Sequence, residues 1–180
     1  MPRITPIASP ADLPPAAQPV AEAVLAVFGA IRGPFSMLLH SPDLAARVLP
    51  LVPFLREHSV VPGPLRSLAI LATVREREAD YVWSAQVRAA RQNGLREAAI
   101  DVLRTRGDLA ALEPEERDIV TYARQLVLTN RVEPAVFQTL LDRYGAQWLV
   151  ELTTAASFYG MLCGVANAFE VAVPEGGDRF

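Results

Sequence analysis

Residues 62–95 read PGPLRSLAILATVREREADYVWSAQVRAARQNGL, and this stretch decides the fold. Leu65, Leu68, Ala69 and Ala72 recur at helical spacing, while Ile70 and Leu71 widen the stripe. The first half therefore predicts a helix over 65–75 that lies deep in the protein. The charged run 75–78 breaks the apolar pattern, as a solvated helix end or a connector. A second helix is expected over about 79–93 and closes at Gly94, a residue suited to the left-handed C-terminal position. Trp83, Val87 and Ala90 share one of its faces, and Gln86 lies on the flank.

Upstream, residues 1–18 are rich in Pro and Ala and read as an extended arm placed to wrap over a neighbour. Pro19 suits a first helical position, and Val20, Val24, Val27, Phe28 and Ile31 follow at helical spacing up to Gly33-Pro34. A short apolar turn or helix occupies 35–39. Ser41-Pro42-Asp43 then supplies an N-cap, a first-turn proline and an acid matched to the helix dipole. Pro50 and Pro53 lack amide donors and interrupt the helix there, leaving 51–57 as a separate turn or short helix.

Downstream, a short helix covers 97–104. Glu113-Pro114 opens an amphipathic helix with Ile119, Ala123, Leu126 and Val127 inside, and Pro134 opens another that stops at Gly145. The last helix runs from 147 to about 170, with Leu149, Leu152, Ala156, Tyr159, Cys163 and Ala166 at helical spacing. Segments 83–103 and 136–152 share the outline helix, Gly, helix, a hint of an internal repeat. Strand-like alternation bounded by turn signals is missing, so the predicted fold is all-α. It forms a single domain over 19–172 between the arm, 1–18, and a tail, 173–180.

Composition narrows the function. The 180 residues are 51% hydrophobic, with a net charge of −3 from 17 basic and 20 acidic residues. With no uninterrupted apolar run of about eighteen residues to span a bilayer and no signal-peptide core, the chain reads as cytoplasmic and free of the membrane. Its surplus apolar surface is expected to meet another copy of itself. No basic tract follows a phosphate backbone, which argues against nucleic acid. All 17 basic residues are Arg, so Schiff-base chemistry on Lys is excluded. A single cysteine, Cys163, rules out an intrachain disulfide, a CxxC redox pair and a Cys-rich zinc site. Only His40 and His58 offer imidazole, so a three-His metal site would need several subunits.

LRSLAILA, YVW, a polar residue three positions after the Trp, and ARQNGL together resemble the carboxymuconolactone decarboxylase family, which includes the AhpD-like alkylhydroperoxidases. HSPDLA at 40–45, ELTTAASFYGMLCGVANAF at 151–169 and the VAVPEG close agree with it, so the resemblance covers roughly 31–174. It implies an AhpD-like helical bundle that assembles as a homotrimer or homohexamer. It places the site beside the helix after LRSLAILA, close to subunit contacts, and implies chemistry on a small molecule without a cofactor or metal.

In the peroxidase branch of that family, a Glu on the first helix and a Cys-x-x-Cys-x-x-x-His run on the second form a proton relay and a redox disulfide. The matching positions here hold Ser67, Ala79, Val82 and Gln86, so thiol peroxidase chemistry by that route is excluded. The decarboxylase branch resembles this chain in Arg66-Ser67, Arg88-Ala89-Ala90 and Asn93-Gly94, but it too carries His where Gln86 stands. A Gln amide can hold a carbonyl or carboxylate, yet it cannot exchange a proton near pH 7.

Acid or base must therefore come from elsewhere. His40 is the first catalytic candidate, because imidazole is the side chain best suited to proton transfer, although it can equally pack at the start of its helix. Tyr159 is the second, able to donate its hydroxyl to a developing enolate or simply to pack. His58 beside Glu57 reads as a paired base or a solvated loop residue. Gln86 and Trp83 are expected to line the pocket, the indole as a wall for a planar substrate. Arg66 suits a substrate carboxylate or a surface ion pair, and Ser67 a hydrogen bond to substrate. Cys163 reads as a buried small apolar residue. These residues fit two functions: a cofactor-independent lyase or isomerase for a small carboxylated lactone, keto or enol compound, or a catalytically silent oligomer that binds such a molecule.

Overall fold

The structure, a computed structural model, describes residues 2–180. Ten α-helices succeed one another, and among the described residues there is no strand. The centre is α5 (Gly63–Glu76), in which residues Arg66 to Val74 are buried without a break. A helix apolar on all sides needs neighbours on all sides. Here they are α6 (Asp80–Gln92), α8 (Pro114–Thr129) and α10 (Ala146–Ala168).

The charged run after Val74 marks where α5 leaves the core. Glu78, at φ +50°, reverses the chain in the left-handed region and delivers it into α6. On α6, Trp83, Val87 and Ala90 are fully buried, as their spacing predicts. The helix closes with the Leu95 amide donating to the Ala90 carbonyl at 2.9 Å and Gly94 at φ +82°. That is the bond pattern of a glycine-terminated helix end. The helix then gives way to α7 (Glu97–Thr105).

The first half of the chain departs from the sequence reading at three places. α1 (Gln18–Phe28) ends at Gly29, whose φ of +73° closes the helix, so Ile31 is buried outside it. α2 (Pro34–Leu38) and α3 (Pro42–Val48) come next, but Ser41 makes no side-chain cap to α3. The third departure is the Pro-rich arm, which packs on its own chain. The Ile7 amide donates to the Ser36 carbonyl at 3.1 Å, that of Arg3 to the Phe169 carbonyl at 3.0 Å, and Ile7 and Leu13 join the core. Pro50 and Pro53 do split their segment, into α4 (Leu51–Pro53) and a single π-helical turn, Phe54–His58.

α9 (Pro134–Tyr144) and α10 close the bundle. α10 is long and apolar enough to cross a membrane, with a mean hydropathy of 1.4 over its most apolar stretch, yet 56% of that stretch is buried inside the protein. Its apolarity serves the core, where Leu152, Ala155 and Cys163 are fully enclosed.

Because α5 is enclosed on every side, truncating it leaves a void that no solvent-facing side can relax. Leu71→Ala is expected to lower the unfolding free energy by about 3 kcal/mol. Chemical denaturation should show the midpoint falling at unchanged slope.

Candidate functional site

A cavity of about 940 Å³ opens between α6, α10, the ends of α1 and α2, the π-turn and the segment after α10. Its floor is set by Arg66. This side chain, 7% exposed, donates through Nη1 to the Val61 carbonyl at 2.6 Å and through Nη2 to the Arg56 carbonyl at 3.1 Å. Burial lowers its pKa, with Tyr159 and Glu151 acting in the opposite direction. Two backbone acceptors thus take one N–H from each terminal nitrogen of the fork that the sequence reading assigned to a substrate carboxylate.

By holding the backbone of the π-turn, Arg66 places Arg56 at the cavity. The Arg56 guanidinium lies over the Phe28 ring at 4.9 Å, and it faces the Tyr159 hydroxyl together with Gln86. Tyr159 comes from α10 and is 6% exposed. Burial pushes its phenol pKa up, while Arg56, Gln86 and Arg66 pull it down; the net direction is upward. The hydroxyl therefore stays protonated at neutral pH, a donor in a cationic and amide-lined recess.

Tyr81 forms part of the opposite wall. A Cβ on Gly33 would lie 2.2 Å from the Tyr81 ring, and Gly33 sits at φ +66°, so only glycine fits beneath this aromatic. Burial raises the Tyr81 pKa as well, against the pull of Arg32. Arg32 and Arg88 also line the cavity and, among the described residues, neither forms an ion pair with a carboxylate.

Of the residues proposed from sequence, the structure brings Arg66, Gln86 and Tyr159 to one cavity. Ser67 and Trp83 stay behind it. Ser67 is buried and accepts a hydrogen bond from Asn93 Nδ2 at 2.9 Å, tying the start of α5 to the end of α6. Gly63 packs on the same Asn93, so this part of the motif is a clamp between helices and not a substrate contact. Trp83 is fully buried, with its ring edge against Phe180 at 5.5 Å.

His40 is exposed and its ring donates through Nε2 to the Thr5 carbonyl at 2.9 Å, outside the cavity. It anchors the N-terminal arm. His58 is exposed at the end of the π-turn and does not line the cavity either. Ala79 and Val82, at the positions compared with peroxidatic cysteines, are buried and apolar. Cys163 is fully buried, and its thiol is pushed up to about 12 by burial, with Arg77 opposing.

Sequence reasoning missed Arg56 and residues 174–178, which also line the cavity. An arginine between an apolar residue and a Glu-His pair after Pro53 was the available sign for the first. The PEGGD turn and a closing aromatic were the signs for the second.

If Arg66 serves the fold, Arg66→Met should cost about 2 kcal/mol of stability, because the Val61 carbonyl is left buried without a donor. A substrate-binding arginine would instead lose ligand affinity with the denaturation midpoint unmoved.

No family model matches the chain, and no curated protein does. Solved structures do. The crystal structure of a Cys-to-Ala variant of the debrominase Bmp8 in complex with 2,3,4-tribromopyrrole superposes with a TM-score of 0.75 at 15% identity, covering 97% of this chain and 95% of that one. The alkylhydroperoxidase AhpD core of an uncharacterized peroxidase-related protein from Ralstonia eutropha JMP134 gives 0.74 at 17% identity, covering 96% and 95%. At such identities the likeness is one of fold, and the fold of this chain is the all-α AhpD-like bundle.

Proposed function

We propose that the cavity takes a small, planar, carboxylated lactone, keto or enol compound and that the protein acts on it as a cofactor-independent lyase or isomerase. The observation that carries this reading is Tyr159: a buried hydroxyl, kept protonated, in a cavity it shares with Gln86 and several arginines, Arg56 among them. Arg56 takes the carboxylate-anchoring role beside Arg66, whose terminal nitrogens each give one N–H to a backbone carbonyl. Gln86 orients the reacting carbonyl by its amide.

In a decarboxylation, the bond to the carboxylate carbon breaks and its electron pair moves into the adjacent carbonyl, giving an enolate and CO2. Tyr159 stabilises that oxygen by donating its O–H, and the enolate carbon recovers a proton that water ultimately replaces. With His40 outside the cavity, protonation falls to Tyr159. Assembly as a homotrimer or homohexamer belongs to the same proposal and is supported by apolar side chains left in solvent, Leu128 and Val150 at 64% exposure each.

Tyr159→Phe should cut turnover of the responsive acid about 100-fold or more while leaving folding nearly intact. The pH profile carries a sign. The active form is the protonated phenol and its pKa is raised, so the rate should hold through the range where an ordinary tyrosine ionises and fall only above it. A rate that climbs as the phenol ionises would show Tyr159 acting as a base and overturn the assignment.

A second reading is favoured by one feature: neither imidazole lines the cavity. The chain would then bind such a molecule without turnover, visible as ligand-dependent thermal stabilisation. Gln86→His separates the two. Gain of decarboxylation from none favours the binding protein, and loss of an existing activity favours the enzyme.

A further inference from the structure

We propose that residues 171–180 form a releasable strap that walls the cavity along α6, and that its release widens the approach for a ligand. The proposal rests on the reading of the cavity as a ligand site. The strap begins where α10 ends: Glu170, at φ +54°, turns the chain back, and the Val171 amide closes on the Ala166 carbonyl at 2.9 Å. The segment then runs across α6. Within it, the Gly177 amide donates to the Pro174 carbonyl at 3.0 Å with Gly176 at φ +70°, a tight turn of the type that needs glycine at its third position.

That turn lies directly on α6. A Cβ on Gly177 would come within 2.5 Å of Ser84 Oγ, and Pro174 to Asp178 form one wall of the cavity. Beyond the turn come two latches. Asp178 accepts from Arg91 Nη1 at 2.7 Å and from Arg104 Nη2 at 3.2 Å, joining α6 to α7. Phe180 lays its ring against the edge of Trp83 at 5.5 Å, with the Arg75 guanidinium 4.2 Å above it.

Among the described residues, no backbone hydrogen bond ties 172–180 to any helix. Side chains alone hold the strap, through partly exposed ion pairs and one aromatic contact, interactions that are individually weak. Such a segment opens as a unit, well below the cost of unfolding the bundle. While it is latched, it narrows the approach to the cavity over Ser84 of α6.

The test uses the full chain carrying Ser84→Cys, whose introduced thiol lies under Gly177. Cys163, the one native cysteine, is buried with its thiol raised to about 12, so it stays silent unless the bundle unfolds. N-ethylmaleimide labelling of the introduced thiol should be slow in the parent and at least tenfold faster with Phe180→Ala or with Asp178→Asn, whereas Phe180→Tyr should stay near the parent rate. The association rate of 8-anilinonaphthalene-1-sulfonate, an anionic aromatic probe, should rise in step. Equal labelling rates in the parent and both latch variants, with Cys163 unlabelled throughout, would overturn the strap. Faster labelling in the variants without any protection by benzoate or the dye would uphold the strap and remove the ligand reading instead. Two variants on separate latches guard against one of them simply unfolding.

Discussion

One guanidinium conditions much of the rest. α5 is buried on every side, and a charge in its first turns is tolerated only where hydrogen-bond acceptors meet it. Arg66 finds them in the carbonyls of Val61 and Arg56, which regular helix would not leave free. The backbone that offers them is the π-helical turn and the extended residues after it, produced where Pro50 and Pro53 deny the chain a continuous helix. The same arrangement brings Arg56 beside Tyr159. A structural requirement of the core thus sets the electrostatics of the cavity.

This coupling explains which parts of the molecule were legible in the sequence. Helix existence was legible wherever apolar spacing and a terminator coincided: the breadth of the α5 stripe announced its burial, and Gly94 announced the end of α6. Boundaries erred where a glycine took a left-handed turn earlier than the proline behind it suggested, as at Gly29. The arm was misread because six prolines by residue 19 look like extended chain, while two isolated apolar residues, Ile7 and Leu13, suffice to anchor it.

The site was legible in position and less so in roles. Helical spacing put Gln86 on the flank of α6 and Tyr159 on the inner face of α10, and both line the cavity. Spacing cannot say which acceptors a buried arginine will meet: Arg66 lines the cavity but also holds the backbone of the π-turn, and Ser67 serves the α5–α6 junction. His40 attracted attention as a titratable group near the right helix. Its ring serves instead to hold the arm at Thr5, a contact thirty-five residues away in sequence that no local pattern encodes.

On the proposed reading, the two tyrosines stand where an imidazole would otherwise serve. An imidazole can give or take a proton near neutral pH; a buried phenol with a raised pKa keeps its proton and does not act as a base there. A site built on Tyr159 and Tyr81 can stabilise negative charge as it develops, but it cannot remove a proton from carbon at neutral pH. Chemistry in which the electron pair is released by loss of a group, as CO2 leaves a carboxylate, matches a site without a base better than chemistry begun by proton abstraction. On the proposed reading, decarboxylation is therefore preferred to isomerisation, because it alone needs no base to begin it.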